Sequence, residues 1–304
     1  MKLTATVVKH TGSHYLLSHL PVWDPFPAVV RGKLRLNDTG STNPIAVGDV
    51  VEYEGEVITS VLERRNCIVR SSTNLSRQRH VIAANIDMAW LVVTLALPET
   101  KQAFIDRFLV TCEAYKVPVT ILLNKADLYK DADIAEIVEA FRSVYEGAGY
   151  RVLHSSVRSG EGIETLRAEC SHGVNLFSGV SGVGKSSLIK ALDPNLAPRI
   201  GAISEHFLQG RHTTTFYEMY PLAGGGTIID TPGIRGFGLV DFSAEEISTC
   251  FPEMLAVMDG CRYKPCTHTH EPGCAVLEAI DDGRISPDRY NSYLGMLEDQ
   301  RKYR

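Results

Sequence analysis

A glycine-rich loop at residues 179–186 is the clearest candidate for chemistry in this sequence. It reads Gly-Val-Ser-Gly-Val-Gly-Lys-Ser, matches G-x-x-x-x-G-K-[ST], and lies between a strand-like and a helix-like segment. Backbone N–H groups of such a loop bind phosphate oxygens, and the N-terminus of the following helix adds partial positive charge. Lys185 is therefore expected to contact the terminal phosphates and Ser186 to bind Mg²⁺. The other predicted phosphate contacts are Gly179, Val180, Ser181, Gly182, Val183, Gly184 and Ser187.

A second motif, Asn-Lys-Ala-Asp, follows an apolar strand-like segment and predicts which base is bound. The carboxylate of Asp127 can accept two hydrogen bonds from guanine, whereas adenine would leave this acceptor unpaired. Asn124 is expected to brace the loop, and the stem of Lys125 to cover the ring. A later loop is expected to offer a backbone N–H to the guanine carbonyl. The predicted base-contacting residues are Asn124, Lys125, Ala126, Asp127, Ser156 and Val157.

Two further segments are typical of a magnesium and γ-phosphate site. Asp230-Thr-Pro-Gly233 follows an apolar strand-like segment, and a threonine-rich stretch occupies residues 210–215. Asp230 would hold Mg²⁺ through water, and the N–H of Gly233 would meet the γ-phosphate. We expect a threonine to close on Mg²⁺, and we favour Thr214 over Thr213.

The residue after this D-x-x-G motif is Ile234. Ras carries a glutamine here that orients the attacking water, so an apolar residue predicts slow intrinsic hydrolysis. The hydrolytic group would then come from elsewhere, and Arg211 and His212 are the candidates. The alternative is that His212 is an ordinary loop residue.

Three cysteines and a histidine within 14 residues predict a metal site. Cys261, Cys266, His268 and Cys274 form the Cys₃His set of a closed structural zinc site, with one Zn²⁺ per chain. Soft ligands without an open position argue against metal catalysis. His270 is an alternative ligand to His268.

The elements that carry these motifs predict a multidomain protein. Residues 1–75 contain short β-like segments divided by turn residues, which suits a small barrel such as the OB-fold. Residues 76–240 alternate strand-like and helix-like segments, which predicts an α/β domain with a parallel sheet and helices on both faces. Residues 241–304 combine a capping box at Ser243, the cysteine cluster and a helix opening at Pro287, so we expect a mainly helical zinc-binding domain.

The motifs occur in an unusual order, because the base-reading loop at Asn124 precedes the phosphate loop and Asp230 comes last. An ordinary GTPase begins with the phosphate loop. One fold can host both orders, since nucleotide-binding loops assemble at the carboxyl edge of a sheet. The sequence therefore predicts a circularly permuted GTPase. Its γ-phosphate loop runs into the C-terminal segment, which suggests a two-state switch.

Composition limits the remaining classes. The chain has 304 residues, 44% hydrophobic residues and a formal net charge of -5, which argues against nucleic-acid binding by bulk charge. Five arginines lie between residues 61 and 80, which indicates local positive charge, and the alternative is a solvated basic linker. We find no apolar run of 18 residues and no signal-peptide core, and we expect a cytoplasmic protein without membrane contact.

Together these features resemble the RsgA family, also called YjeQ or YloQ, the ribosome small-subunit-dependent GTPases. The resemblance covers nearly the whole chain: the barrel, the permuted motifs and the Cys₃His run with Glu271-Pro-Gly-Cys274. It implies GTP hydrolysis that is stimulated by the 30S subunit and serves its late maturation. It also implies that the barrel and zinc domain contact 16S rRNA. We expect a monomer. Gly182 stands where potassium-activated relatives of the wider class carry asparagine, so K⁺ dependence is open.

Two other functions fit parts of the sequence. A metallochaperone GTPase would deliver metal through its cysteines, although such thiols belong near the phosphate loop and here they lie in a separate segment. A zinc-bearing RNA-binding module would use GTP only as a switch ligand. Turnover of GTP with and without 30S subunits separates these from a ribosome-assembly GTPase.

Overall fold

The computed structural model describes residues 2–11, 14–35, 44–71, 79–196, 217–230 and 242–302. Five strands form an N-terminal barrel: β1 (Leu3–His10), β2 (His14–Ser18), β3 (Phe26–Arg35), β4 (Val50–Glu54) and β5 (Val57–Val61). They pair in the order β1-β2-β3-β5-β4, and a β1–β4 pairing closes the circle. Alternate residues such as Val7, Leu17 and Val51 point inward and form the barrel core. The predicted OB-like barrel is confirmed.

A two-stranded hairpin follows the barrel and consists of β6 (Cys67–Ser71) and β7 (Arg79–Ala84). Ile68 and Ile82 bury their side chains in the main core of the α/β domain. The boundary predicted between residues 75 and 76 falls between these paired strands, and it stays a prediction.

The α/β domain is built on a sheet whose parallel part has the order β10-β9-β8-β11-β13. The strands are β8 (Met88–Val93), β9 (Val119–Asn124), β10 (Arg151–Ser155), β11 (Val174–Ser178), β12 (Glu218–Pro221) and β13 (Thr227–Asp230). Strand β12 is antiparallel to β13, because a short connection can only return the chain antiparallel. It also pairs with β1 at Lys9 and Glu218, so barrel and α/β domain share one sheet.

Helices cover both faces of this sheet, as predicted. The helices are α1 (Gln102–Ala114), α2 (Ala132–Gly147), α3 (Ile163–Glu169) and α4 (Lys185–Leu192). Phe108 and Tyr145 of α1 and α2 pack with Leu91 of β8 on one face. Leu166 and Leu188 of α3 and α4 pack on the other. Strand β8 is apolar throughout because successive residues face opposite, equally buried layers.

The described part of the C-terminal segment, residues 242–302, is mainly helical. It contains α5 (Ala244–Thr249), α6 (Pro252–Leu255), α7 (Ala275–Asp281) and α8 (Pro287–Lys302). The predicted capping box is present: Glu246 N–H donates to Ser243 Oγ, and Ser243 N–H donates to Glu246 Oε2. Val110 of α1 belongs to the apolar cluster of this segment, so the C-terminal helices pack on the α/β domain. Among the described residues, no helix combines the length and hydropathy needed to cross a membrane.

Candidate functional site

The predicted nucleotide loops meet at one edge of the sheet. The parallel strands β9, β10, β11 and β13 end there at Asn124, Ser155, Ser178 and Asp230. Phe177 and Asp230 are register partners, so the strands that precede the phosphate loop and the D-x-x-G motif end side by side. The carboxyl edge of a parallel sheet is the usual place for ligands in α/β folds.

The phosphate loop runs from the fully buried β11 into the N-terminus of α4, which begins at Lys185. Lys185 Nζ donates to the carbonyl oxygens of Gly179 (2.7 Å) and Val180 (2.9 Å), so its ammonium lies against the loop. Gly184 has φ +100, and a Cβ there would lie 2.5 Å from Asn124 Nδ2. This position therefore requires glycine, both for the backbone conformation and for the close approach.

Asn124 joins the base-reading loop to the phosphate loop. Its side chain is buried, Nδ2 donates to Val183 O (2.8 Å), and Oδ1 accepts from Ser155 Oγ (3.1 Å). The side chain of Asn124 therefore links the base-reading loop to the phosphate loop and to the end of β10. Sequence reasoning missed Ser155; its signal is a hydroxyl at the last position of β10, directly before the predicted base-contacting Ser156.

The carboxylate of Asp127 is fixed by the loop after β10. Ser156 Oγ donates to Asp127 Oδ1 (2.5 Å), and Arg158 Nη1 lies 3.9 Å from Asp127 Oδ2. Of the two apolar residues predicted to contact the base, Ala126 is buried and Val157 is exposed. Ser156 and Asp127 are separated by 29 residues in sequence, and their contact supports the expectation that these loops enclose one base.

Lys125 also reaches the phosphate loop. Its backbone is left-handed, with φ +63, and its Nζ donates to Gly182 O (2.9 Å). Four predicted residues, Arg211, His212, Thr214 and Gly233, lie outside the described residues. The backbone of Asp230 is described and its side chain is not.

The four predicted zinc ligands come together in the C-terminal segment. Cys261, Cys266, His268 and Cys274 are all buried, and their ligand atoms lie within 4.8 Å of one another. The Sγ atoms of Cys261 and Cys274 are 3.9 Å apart, and His268 Nδ1 lies 3.5 and 3.4 Å from them. Tetrahedral zinc with bonds of about 2.3 Å to sulfur and about 2.0 Å to nitrogen needs separations of about 3.8 and 3.5 Å. The donor set therefore fits zinc.

Burial of the cluster disfavours charged side chains. Burial raises the pKa of the Cys266 thiol to about 12 and lowers the pKa of His268. A divalent ion reverses the cost of forming buried thiolates and binds neutral imidazole. His270, the alternative ligand, contacts Thr269 Oγ1 with its Nδ1 and stands outside the four-residue cluster.

Three residues outside the predicted ligand set hold the ligand loop. Glu271 accepts hydrogen bonds from the backbone N–H groups of residues 267, 269 and 270. Burial alone would raise the pKa of Glu271, but hydrogen bonds from Thr267 and neighbouring backbone hold it well below its ordinary value. From α8, Tyr290 and Tyr293 donate to the carbonyls of residues 268 and 267, both at 2.7 Å. These contacts connect the cluster to the C-terminal helix.

Comparisons with known proteins identify the family. The family model described as RsgA GTPase matches residues 61–240. The small ribosomal subunit biogenesis GTPase RsgA of Bacteroides fragilis (strain YCH46) is 48% identical, over 98% of this chain and 98% of that protein. The corresponding protein of Flavobacterium psychrophilum is 45% identical, over 99% of this chain and 95% of its own length.

Solved structures agree with this match. The crystal structure of YjeQ from Thermotoga maritima superposes with a TM-score of 0.79 at 32% identity, covering 98% of each chain. The crystal structure of YloQ, described as a circularly permuted GTPase, gives a TM-score of 0.73 at 25% identity, covering 100% of this chain and 96% of the other. The chain belongs to the RsgA GTPase family, and it is a GTPase with circularly permuted motifs.

Proposed function

We propose that GTP binds at the carboxyl edge of the sheet, with Asp127 reading guanine and the loop at 179–186 holding the phosphates. The observation that carries this proposal is the hydrogen bond from Asn124 Nδ2 to Val183 O, which joins the base-reading loop to the phosphate loop. Phosphate oxygens would replace the carbonyl partners of Lys185. Ser156 orients the carboxylate that accepts from the base.

We further propose that Mg²⁺ accompanies GTP and is held by Ser186, Thr214 and Asp230. Ser186 is the second residue of α4, and Asp230 ends the strand next to β11, so both belong to the same edge. The proposed hydrolytic candidates remain His212 and Arg211. Gly233 would donate its backbone N–H to the γ-phosphate.

The Cys₃His cluster is proposed to bind one structural zinc ion through Cys261, Cys266, Cys274 and Nδ1 of His268. All four residues are buried against the C-terminal helices, and the set leaves no open position for a substrate. This arrangement disfavours metal delivery to a partner, because the cargo of a metallochaperone must be able to leave.

We propose that the GTPase acts on the 30S ribosomal subunit during late maturation, contacts 16S rRNA, and works as a cytoplasmic monomer. The relatives' name, small ribosomal subunit biogenesis GTPase, supports the 30S subunit as partner. The arginine cluster supports rRNA contact less than its sequence suggests. Arg64 makes a bidentate pair with the buried Asp49 and stabilises the fold, whereas the side chain of Arg65, which pairs with Asp87, is 63% exposed.

The guanine assignment is tested by replacing Asp127 with asparagine and measuring the affinities for GTP and ATP. Hydrogen bonds to a charged group contribute about 1.5–3 kcal/mol each, so GTP affinity is expected to fall by roughly tenfold or more. The matched control is Asp131→Asn, an exposed carboxylate four residues later. Unchanged GTP affinity and unchanged preference over ATP in Asp127→Asn would refute the assignment.

The partner is tested by GTP turnover with and without purified 30S subunits, and by cosedimentation in GTP, GDP and a non-hydrolysable analogue. Strong stimulation supports a ribosome-assembly role. Tight RNA binding without stimulation would instead favour a zinc-bearing RNA-binding module. Stimulation by added metal alone would favour a metallochaperone.

A further inference from the structure

We propose that the loop at residues 94–100, between β8 and α1, is a third positioning element of the GTP site. Tyr129 is the positioning residue that joins it to the base-reading loop. The inference rests on the proposed guanine site. None of the nucleotide motifs includes this loop or Tyr129, and their role is visible only in the contacts that they make.

The hydroxyl of Tyr129 connects two backbones. It donates to Asn124 O (2.9 Å) and accepts from the N–H of Leu95 (3.0 Å). Tyr129 is only 8% exposed, so water cannot easily replace either bond. Asn124 is therefore held by its carbonyl to the 94–100 loop and by its side chain to the phosphate loop.

The same loop also contacts the other two nucleotide elements. Lys125 Nζ donates to Leu97 O and to Gly182 O, so the ammonium bridges the 94–100 loop and the phosphate loop. A Cβ on Gly182 would lie 3.3 Å from the ring of Pro98, so the proline packs directly against this glycine. The stem of Lys125, which is proposed to cover the base, is thus oriented by a carbonyl of the 94–100 loop.

Hydrogen bonds within the loop make it stiff enough for this task. Thr94 N–H donates to Thr100 Oγ1 (3.0 Å), and Thr100 N–H donates to Thr94 O (2.7 Å). Thr94 Oγ1 donates to Pro98 O. Both threonines are buried. The loop is closed on itself at its base, while its tip, at Leu97 and Pro98, contacts the nucleotide loops.

Loss of the Tyr129 hydroxyl leaves the part-buried N–H of Leu95 and the buried carbonyl of Asn124 without this partner and loosens the base-reading loop. The contact is the same in the ground state and in the transition state, so binding weakens while chemistry at saturation does not. Tyr129→Phe is expected to raise Kd for GTP and GDP, and KM for GTP, by about tenfold, with kcat within twofold of wild type.

The experiment measures Kd with fluorescent GDP and GTP analogues, and KM and kcat with GTP, on the full chain. Tyr145→Phe is the matched control, because its buried hydroxyl donates to Asp106 (3.0 Å) on α1 and, among the described residues, contacts none of the nucleotide loops. Thr100→Val is a second test variant, since it loosens the 94–100 loop without changing Tyr129. It is expected to shift Kd in the same direction.

A rise in Kd for Tyr129→Phe and Thr100→Val, with Tyr145→Phe unchanged, supports the inference. Wild-type Kd in Tyr129→Phe overturns it, and so does an equal loss in Tyr145→Phe, which would indicate general destabilisation. Asp127→Asn distinguishes failure of this inference from failure of the proposed guanine site. If Asp127→Asn weakens GTP binding and Tyr129→Phe does not, only this inference fails; if Asp127→Asn has no effect, the guanine site itself fails.

Discussion

Arg289 is expected to be the residue on which docking of the C-terminal helices depends most. Its side chain is 1% exposed, and Nη1 donates to Asp106 Oδ1 of α1 at 2.7 Å. Nε and Nη2 donate to the two oxygens of Glu253 in α6, at 2.8 and 3.2 Å. The guanidinium also lies 4.8 Å from the ring centroid of Phe251. The network joins α8, α6 and α1.

The perturbation is Arg289→Met, which keeps most of the apolar stem and removes the charge. Asp106 and Glu253 are 0% and 5% exposed, so both carboxylates would be left buried without their cation. Breaking a buried ion pair from one side costs about 3–5 kcal/mol of unfolding free energy. The control is Arg151→Met. Arg151 donates to both oxygens of Glu169, but its side chain is 51% exposed, and such a pair contributes about 0–1 kcal/mol.

The assay is urea unfolding followed by circular dichroism at pH 8. In the wild type, burial opposes the charge of Arg289, but its hydrogen bonds to Glu253 and the charge of Asp106 outweigh burial and raise its pKa. In Arg289→Met both carboxylates would stay buried without this cation, so the free energy of unfolding should fall much more than in Arg151→Met. A loss no larger than that of Arg151→Met would refute this reasoning.

Three other predictions test the site and the barrel. Gly184→Ala places a Cβ 2.5 Å from Asn124 Nδ2 at φ +100, so GDP affinity is expected to fall more than about tenfold, and affinity within twofold of wild type would contradict this. Cys274→Ser should lower both the zinc content measured by mass spectrometry and Tm, whereas an unchanged Tm in metal-free protein would count against a structural ion. Hydrogen bonds from the backbone and ring of His19 lower the pKa of Asp24 to about 2, which a carboxyl NMR titration should reproduce. Its stabilising contribution is present above about pH 3.9 and is lost as pH falls towards 2, so Asp24→Asn should destabilise the barrel at pH 7 but not near pH 2, and a midpoint near 3.9 would contradict the prediction.

Tertiary contacts change the interpretation of the arginine cluster and decide between His268 and His270 as the zinc ligand. The five arginines between residues 61 and 80 indicate local positive charge, yet Arg64 is only 17% exposed and pairs with the buried Asp49. Charge clustering in a sequence cannot distinguish a binding surface from paired side chains, because the partners are distant in sequence. The order of the zinc ligands left His268 and His270 as alternatives, and only the folded loop brings His268 Nδ1 to the thiols.

The sequence by itself determined the features that have a local physical cause. Apolar runs predicted the buried strands, the phosphate-loop spacing predicted the turn before α4, and the capping box and Pro287 predicted two helix starts. Tertiary structure alone decided contacts between distant residues, such as Asn124 with Val183, which are 59 residues apart, and Arg289 with Asp106, which are 183 apart. The reason is that spacing and periodicity describe how a segment folds on itself, whereas the partner of a buried polar group depends on which elements pack together.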